Sequence, residues 1–239
     1  MARNLRVGDR LPAERDLATQ LGVSRSSVRE AVRILQAQGV VTTAVGTGPQ
    51  SGTVIAALPA EALTRVLRLH LALSSFELAE LIDARVTLER SSVGLAARLA
   101  TQEDLAQLRT LLEQMDDPSV SRDRFNALDA DFHVALARAS HNRLVSDVTV
   151  ALRNSLRGPI QQSFGLIDDW DSLRVSLVED HHAIFEAVEN GDADTAAGRI
   201  ESHIRAFAVT LLAHQRDSAQ RDGQRIGLSE IPFRRTDER

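Results

Sequence analysis

From about residue 60 to residue 215 the chain carries no strand signal. Successive stretches repeat apolar residues at helical spacing, with breaks at Thr101, Asp117-Pro118, His141-Asn142 and Asn190-Gly191-Asp192. Such a run buries its apolar faces helix against helix, which predicts an all-α bundle. The expected helices cover roughly 60–73, 76–99, 102–115, 121–139, 142–165, 171–189 and 193–215. Leu58-Pro59 marks the expected boundary, giving a first domain over 1–57, a helical domain over 58–216, and a polar, mobile tail over 217–239 (DSAQRDGQRIGLSEIPFRRTDER). No apolar run approaches the roughly 18 residues of a membrane span, and the start, MARNLRVGDRLPAER, is too polar for a signal peptide. A cytoplasmic protein is therefore expected. The sequence has no cysteine, which rules out disulfides and thiolate metal sites.

The formal charge of -5 argues against a general nucleic-acid binder, but it is unevenly spread. Residues 1–57 hold seven arginines against Asp9, Glu14, Asp16 and Glu30, leaving +3 there and -8 beyond. All 28 basic residues are arginines. Within this basic module, Leu11-Pro12-Ala13-Glu14-Arg15 reads as a helix start, with Leu17, Ala18 and Leu21 on one face and Gly22 as the stop. Ser24 or Ser27 then caps a second helix, the latter with Glu30 in a capping box. That helix sets Arg25, Arg29 and Arg33 beside an apolar row of Val28, Ala31, Val32 and Leu35. Helix, glycine turn, helix is the outline of a helix-turn-helix, and Ser24, Arg25 and Ser26 stand where phosphates and base edges of a major groove would be met. VVTTAVGTGPQSGTVIA, with β-branched runs around a glycine-rich centre, follows as a two-stranded wing. In isolation the arginines could be no more than a solvated helix face. The helix before them and the wing behind favour DNA.

The stretch LRVGDRLPAERDLATQLGVSRSSVREAVRILQAQGV resembles the winged-helix domain of GntR-type bacterial transcription regulators, through Gly-Asp-x-Leu-Pro-x-Glu-Arg and Val-Ser-Arg-x-x-Val-Arg-Glu-Ala. By position the resemblance implies DNA contacts from Arg15, Ser24, Arg25, Ser26 and Arg29, with an arginine on guanine and others on phosphate. That family normally carries a further helix before this segment. Seven residues precede Gly8 here, so the first helix is expected to be missing or truncated. No basic residue occurs between Arg33 and Arg65, so the wing tip, Gly46 to Gly52, would approach DNA only through backbone amides, Thr47, Gln50 and Ser51.

In the helical part, DADFHVALARASHN (129–142) places Asp129 and His133 four apart, on one helix face and close enough to grip one ion. Further candidate ligands are His181 or His182, and His203, on consecutive helices joined by an Asn-Gly-Asp turn. His70, His141 and His214 read as surface residues. Trp170, set among Asp168, Asp169 and Asp171, reads as closing a loop. The regions around Arg85, Asp129 to Asn142, and His181 to His203 resemble the all-helical ligand-binding domain of the FadR subfamily of GntR regulators, which often holds a metal through one Asp and three His. The resemblance implies Asp129, His133, His181 and His203 as ligands to a divalent ion, with zinc the default and nickel or manganese equally suited to N and O donors. Arg85 reads either as a carboxylate partner facing the cavity or as an ion pair with Glu89. Asn142 reads either as an effector contact or as a cap.

These readings describe a mainly α protein with an N-terminal winged helix-turn-helix. The expected function is a homodimeric regulator, a metabolite-responsive repressor rather than an enzyme, that binds palindromic double-stranded operator DNA and a small carboxylate effector. The competing classes are a metal-dependent hydrolase, and a regulator with a purely structural metal and an acyl-type effector.

Overall fold

The computed structural model describes residues 5–44, 52–56, 60–73, 76–165 and 167–222, which fall in two compact units, Met1–Arg65 and Val66–Arg239. In the first unit, α1 (Glu14–Leu21) ends at Gly22, whose φ of 67° is the left-handed conformation that glycine adopts at least cost. α2 (Arg25–Ala37) follows after the three residues Gly22, Val23 and Ser24. The wing pairs β1 (Val41–Ala44) antiparallel with β2 (Gly52–Ile55), in a register from Val41 opposite Ile55 to Ala44 opposite Gly52. Its expected tip residues Thr47, Gln50 and Ser51 lie outside the described residues, as does the Leu58-Pro59 boundary.

The segment before α1 departs from the sequence reading. Gly8 donates to the Ile55 carbonyl (2.9 Å), Ile55 to that of Asp9 (2.8 Å) and Leu11 to that of Thr53 (2.9 Å), laying residues 8–11 along β2 as a third strip. Pro12 has no N–H to give, and Ala13 is extended (φ -55°, ψ 147°), so the helix begins only at Glu14. A small core of Ala18, Val28, Val32 and Val41 joins α1, α2 and the wing.

The second unit takes the later part of α3 (Ala60–Leu73), then α4 (Leu78–Leu99), α5 (Gln102–Asp116), α6 (Arg122–Ala139), α7 (Arg143–Gly165), α8 (Trp170–Glu189) and α9 (Ala193–Asp222). Thr101 and Ser121 cap α5 and α6 through their side-chain oxygens, which explains the helix starts read there. α9 runs past the expected end at 215, because no glycine or proline interrupts the sequence from Arg199 to Asp222; the rest of the expected tail lies outside the described residues. α4 packs along α9 and against α6 and α7, while α8 lies on α9 and α5. No described helix is long and apolar enough to cross a membrane.

Leu108, Met115, Phe125, Phe132 and Ile184 are wholly buried in this bundle. Trp170 belongs with them and does not close a loop. It opens α8, meets Phe125 edge-on (centroids 5.4 Å apart) and Phe164 (5.0 Å), and receives the Arg122 guanidinium over its ring. Phe125→Ala should therefore cost the helical unit about 3–5 kcal/mol, to be read from the shift in its urea unfolding midpoint.

Candidate functional site

The DNA-facing features sit on α2. Ser24, not Ser27, is the cap: its oxygen accepts from the Ser27 N–H (3.1 Å) and lies 2.8 Å from both the Ser26 and the Ser27 hydroxyls. Val28 and Val32 turn inward, which leaves Arg25, Arg29 and Arg33 exposed on the other faces. Arg29 Nε rests 3.1 Å from Glu14, Arg15 is 3.3 Å from Asp16, and Arg25 has no ion pair among the described residues. Exposed pairs of this kind contribute at most about 1 kcal/mol, so phosphate oxygens can replace them at little cost. All five sequence-chosen residues (Arg15, Ser24, Arg25, Ser26 and Arg29) are exposed.

The second constellation is inside the bundle. Asp129 and His133 project from one face of α6, His181 from α8 and His203 from α9, and one potential ligand atom from each lies within 4.8 Å of all the others. All four residues are buried. His181 Nε2 stands 3.3 Å and His133 Nε2 3.6 Å from Asp129 Oδ1, and neither contact has hydrogen-bond geometry. Both nitrogens of His181 and Nε2 of His133 are thus buried without partners. The neighbouring His182 is exposed and bonds Asp116 (2.8 Å), since adjacent helical residues point about 100° apart and only one of two can face inward.

Burial pushes the His181 imidazole down to about 3 and also lowers His203, so both rings are neutral near pH 7 and keep a lone pair. Burial alone would raise the Asp129 carboxyl. The Arg153 guanidinium beside it, with help from His133 and His181, instead holds it well below the ordinary range. An ionised carboxylate, neutral imidazoles and three unpartnered ring nitrogens form a donor set that fits a divalent cation of the zinc, nickel or manganese type.

Arg85 is buried and makes the ion pair with Glu89 that the sequence allowed. Its Nε donates to Glu89 (2.9 Å), and it lines a cavity of about 10 Å³ with Asp129, Arg153, Phe164 and His203, room for roughly one water-sized guest. Asn142 is not brought to this cluster: its Oδ1 accepts from the Val145 N–H (3.2 Å) at the start of α7, the capping role. His70 and His141 are exposed, His141 bonding Asp104 (2.8 Å), and the side chain of His214 lies outside those described.

Sequence reasoning missed Arg153 and Asp180. Arg153 is buried, pairs with Asp129 and leaves its own Nε without a partner; Asp180 sits 3.2 Å from His203 Nδ1. The one available signal for Arg153 was its place directly after the largely apolar run VTVAL of α7.

A winged helix-turn-helix joined to a helical unit with a buried polar cluster defines a DNA-binding transcription regulator. The model of bacterial regulatory proteins of the gntR family matches residues 1–55, and that of the FCD domain matches residues 80–206. The chain belongs to the GntR family. It is 30% identical to the Uxu operon regulator of Haemophilus influenzae over 213 residues, covering 86% of this chain and 74% of that one. It is 29% identical to the Glc operon transcriptional activator of Escherichia coli K12 (87% and 82% covered) and 27% identical to the HTH-type transcriptional regulator LutR of Bacillus subtilis 168 (90% and 97%). Among solved structures, Streptococcus agalactiae GntR has the same fold, with a TM-score of 0.62 at 24% identity over 87% of this chain and 92% of that one. The named relatives are regulators, not enzymes.

Removing Arg153 should strand the Asp129 charge. Arg153→Met is expected to cost the chelator-treated protein about 3–5 kcal/mol, checked by urea unfolding in the presence of chelator.

Proposed function

We propose that this GntR regulator is a cytoplasmic, metabolite-responsive repressor of the FadR type that binds a two-fold operator as a homodimer and releases it when a small carboxylate enters the helical domain. The observation that carries the reading is the convergence of Asp129, His133, His181 and His203, with unpartnered nitrogens, beside a cavity lined by two arginines. These four side chains would hold a divalent ion, zinc foremost, with nickel or manganese also suited. When bound, such an ion supplies Lewis-acid attraction for an anionic oxygen. Arg85 would meet the carboxylate through its guanidinium fork, while the nearby Arg153 keeps Asp129 ionised. The relatives named for the Glc and Uxu operons support operon control, although the Glc regulator is named an activator.

On the DNA side, Ser24, Arg25 and Ser26 at the start of α2, with Arg15 and Arg29, would meet the major groove and its phosphates. Half-sites one helical turn apart are expected of a two-fold reader. Coupling of a few kcal/mol between acid and DNA suffices to change operator occupancy tenfold or more.

Two measurements test these parts separately. Arg25→Ala should lose about 1–3 kcal/mol of affinity for the duplex enriched from a random-sequence pool; equal binding of variant and parent would remove the recognition-helix assignment. Mass spectrometry of protein purified without chelator should find close to one equivalent of metal per chain, lost in His203→Ala. Absence of metal from the parent even after incubation with zinc, nickel or manganese salts would discard the metal-centred switch.

A further inference from the structure

Glu89 stands outside the four-residue cluster, yet it is only 5% exposed and both of its carboxylate oxygens are engaged. Oε1 accepts from Arg85 Nε at 2.9 Å, and Oε2 lies 2.5 Å from His133 Nδ1. Its Oε1 is ion-paired with the Arg85 guanidinium, so the side chain faces His133 as a carboxylate. An ionised carboxylate can only accept, so the hydrogen between Glu89 and the ring belongs to Nδ1. In a neutral ring the lone pair then falls to Nε2. That is the atom left without a partner, 3.6 Å from Asp129 Oδ1.

We propose that Glu89 is a positioning residue for a metal ligand: by accepting the Nδ1 hydrogen of His133 it fixes the tautomer in which Nε2 faces the cation, and Arg85 in turn fixes Glu89. The inference rests on the metal reading above and adds to it a chain of command, from Arg85 in the cavity wall through Glu89 to His133. His181 contrasts with His133 because neither of its nitrogens has a partner, so nothing selects its tautomer before an ion arrives. The cluster thus combines one pre-set imidazole with one adaptable imidazole. Outer carboxylates of this type characteristically fix ring orientation and raise ligand basicity.

Glutamine at position 89 provides a sharp test, since its shape is almost unchanged but it has one acceptor oxygen where glutamate has two. Arg85 has only donors and would claim that oxygen, turning the amide NH2 toward His133 Nδ1. The ring would answer by moving its hydrogen to Nε2, which removes the lone pair from the ligand position. Glu89→Gln should therefore weaken zinc and nickel binding about 10- to 100-fold. Arg85→Met combined with Glu89→Gln frees the amide oxygen for His133 and should recover most of that loss. A residue that merely filled space would not be rescued by deleting its neighbour.

The experiment is a competition titration of zinc and of nickel against a chromophoric chelator for the full-length parent, the single variant and the double variant. Long-range proton–nitrogen NMR of the metal-free parent gives the tautomer of His133 without any substitution. The expected results are hydrogen on Nδ1 in the parent, loss of affinity in the single variant and recovery in the double. Hydrogen on Nε2 in the parent, equal affinity in Glu89→Gln, or a double variant no tighter than the single would each overturn the role of Glu89 while leaving the metal reading intact. A parent that binds neither zinc nor nickel would overturn both.

Discussion

An ionised carboxylate sits inside the helical bundle, and a buried polar cluster is arranged around it. Asp129 is 4% exposed, and a lone charge at that depth costs several kcal/mol. Arg153 answers it from α7, which ties α6 to α7 by charge as well as by packing. Arg153 is itself buried, so its charge is tolerable only next to Asp129 and within reach of Glu89. Phe132 lies against His181 with ring centroids 4.9 Å apart, and His203 against both His181 (4.7 Å) and His133 (5.3 Å). The rings close off water and keep the dielectric low, which is why burial can hold His181 and His203 neutral.

The first unit solves a different problem. Four buried side chains from α1, α2 and β1 cannot supply much stability, and the strip of residues 8–11 adds backbone hydrogen bonds where side chains are few. The exposed faces of α2 are in consequence free of structural duties. Arginine there meets solvent and weak ion pairs, so its substitution is expected to act on DNA affinity rather than on folding.

Most of the helices could be read from the sequence because their ends carry local chemistry: Thr101, Ser121 and Asn142 each place a side-chain oxygen on an orphan N–H, and Gly191 turns the chain at positive φ. Asp129 and His133 were legible for a similar reason, as spacing within one helix needs no knowledge of the fold. What escaped was non-local. The strip of residues 8–11 bonds to a strand more than forty positions away, and a leucine and a proline at its end look like a helix start. Trp170 among aspartates looked like a loop residue because the aromatic partners that bury it come from α6 and α7. Arg153 carries only the weak mark of following the run VTVAL, which says nothing of its partner; only the meeting of α6 with α7 makes it the partner of Asp129.

Charge balance in the interior bears on which effector class the proposed site would take. Arg85 and Arg153 are matched by Glu89 and Asp129, and the imidazoles of His181 and His203 are neutral. These charges cancel. A divalent cation on Asp129 and the three histidines would leave an uncompensated double positive charge, with Asp180 offsetting it only from a position 42% open to solvent. An acyl chain would fill space but leave that excess unpaired in a low dielectric. A small ionised acid beside the two guanidinium groups would cancel it, so the proposed site would favour an anionic guest over an apolar one.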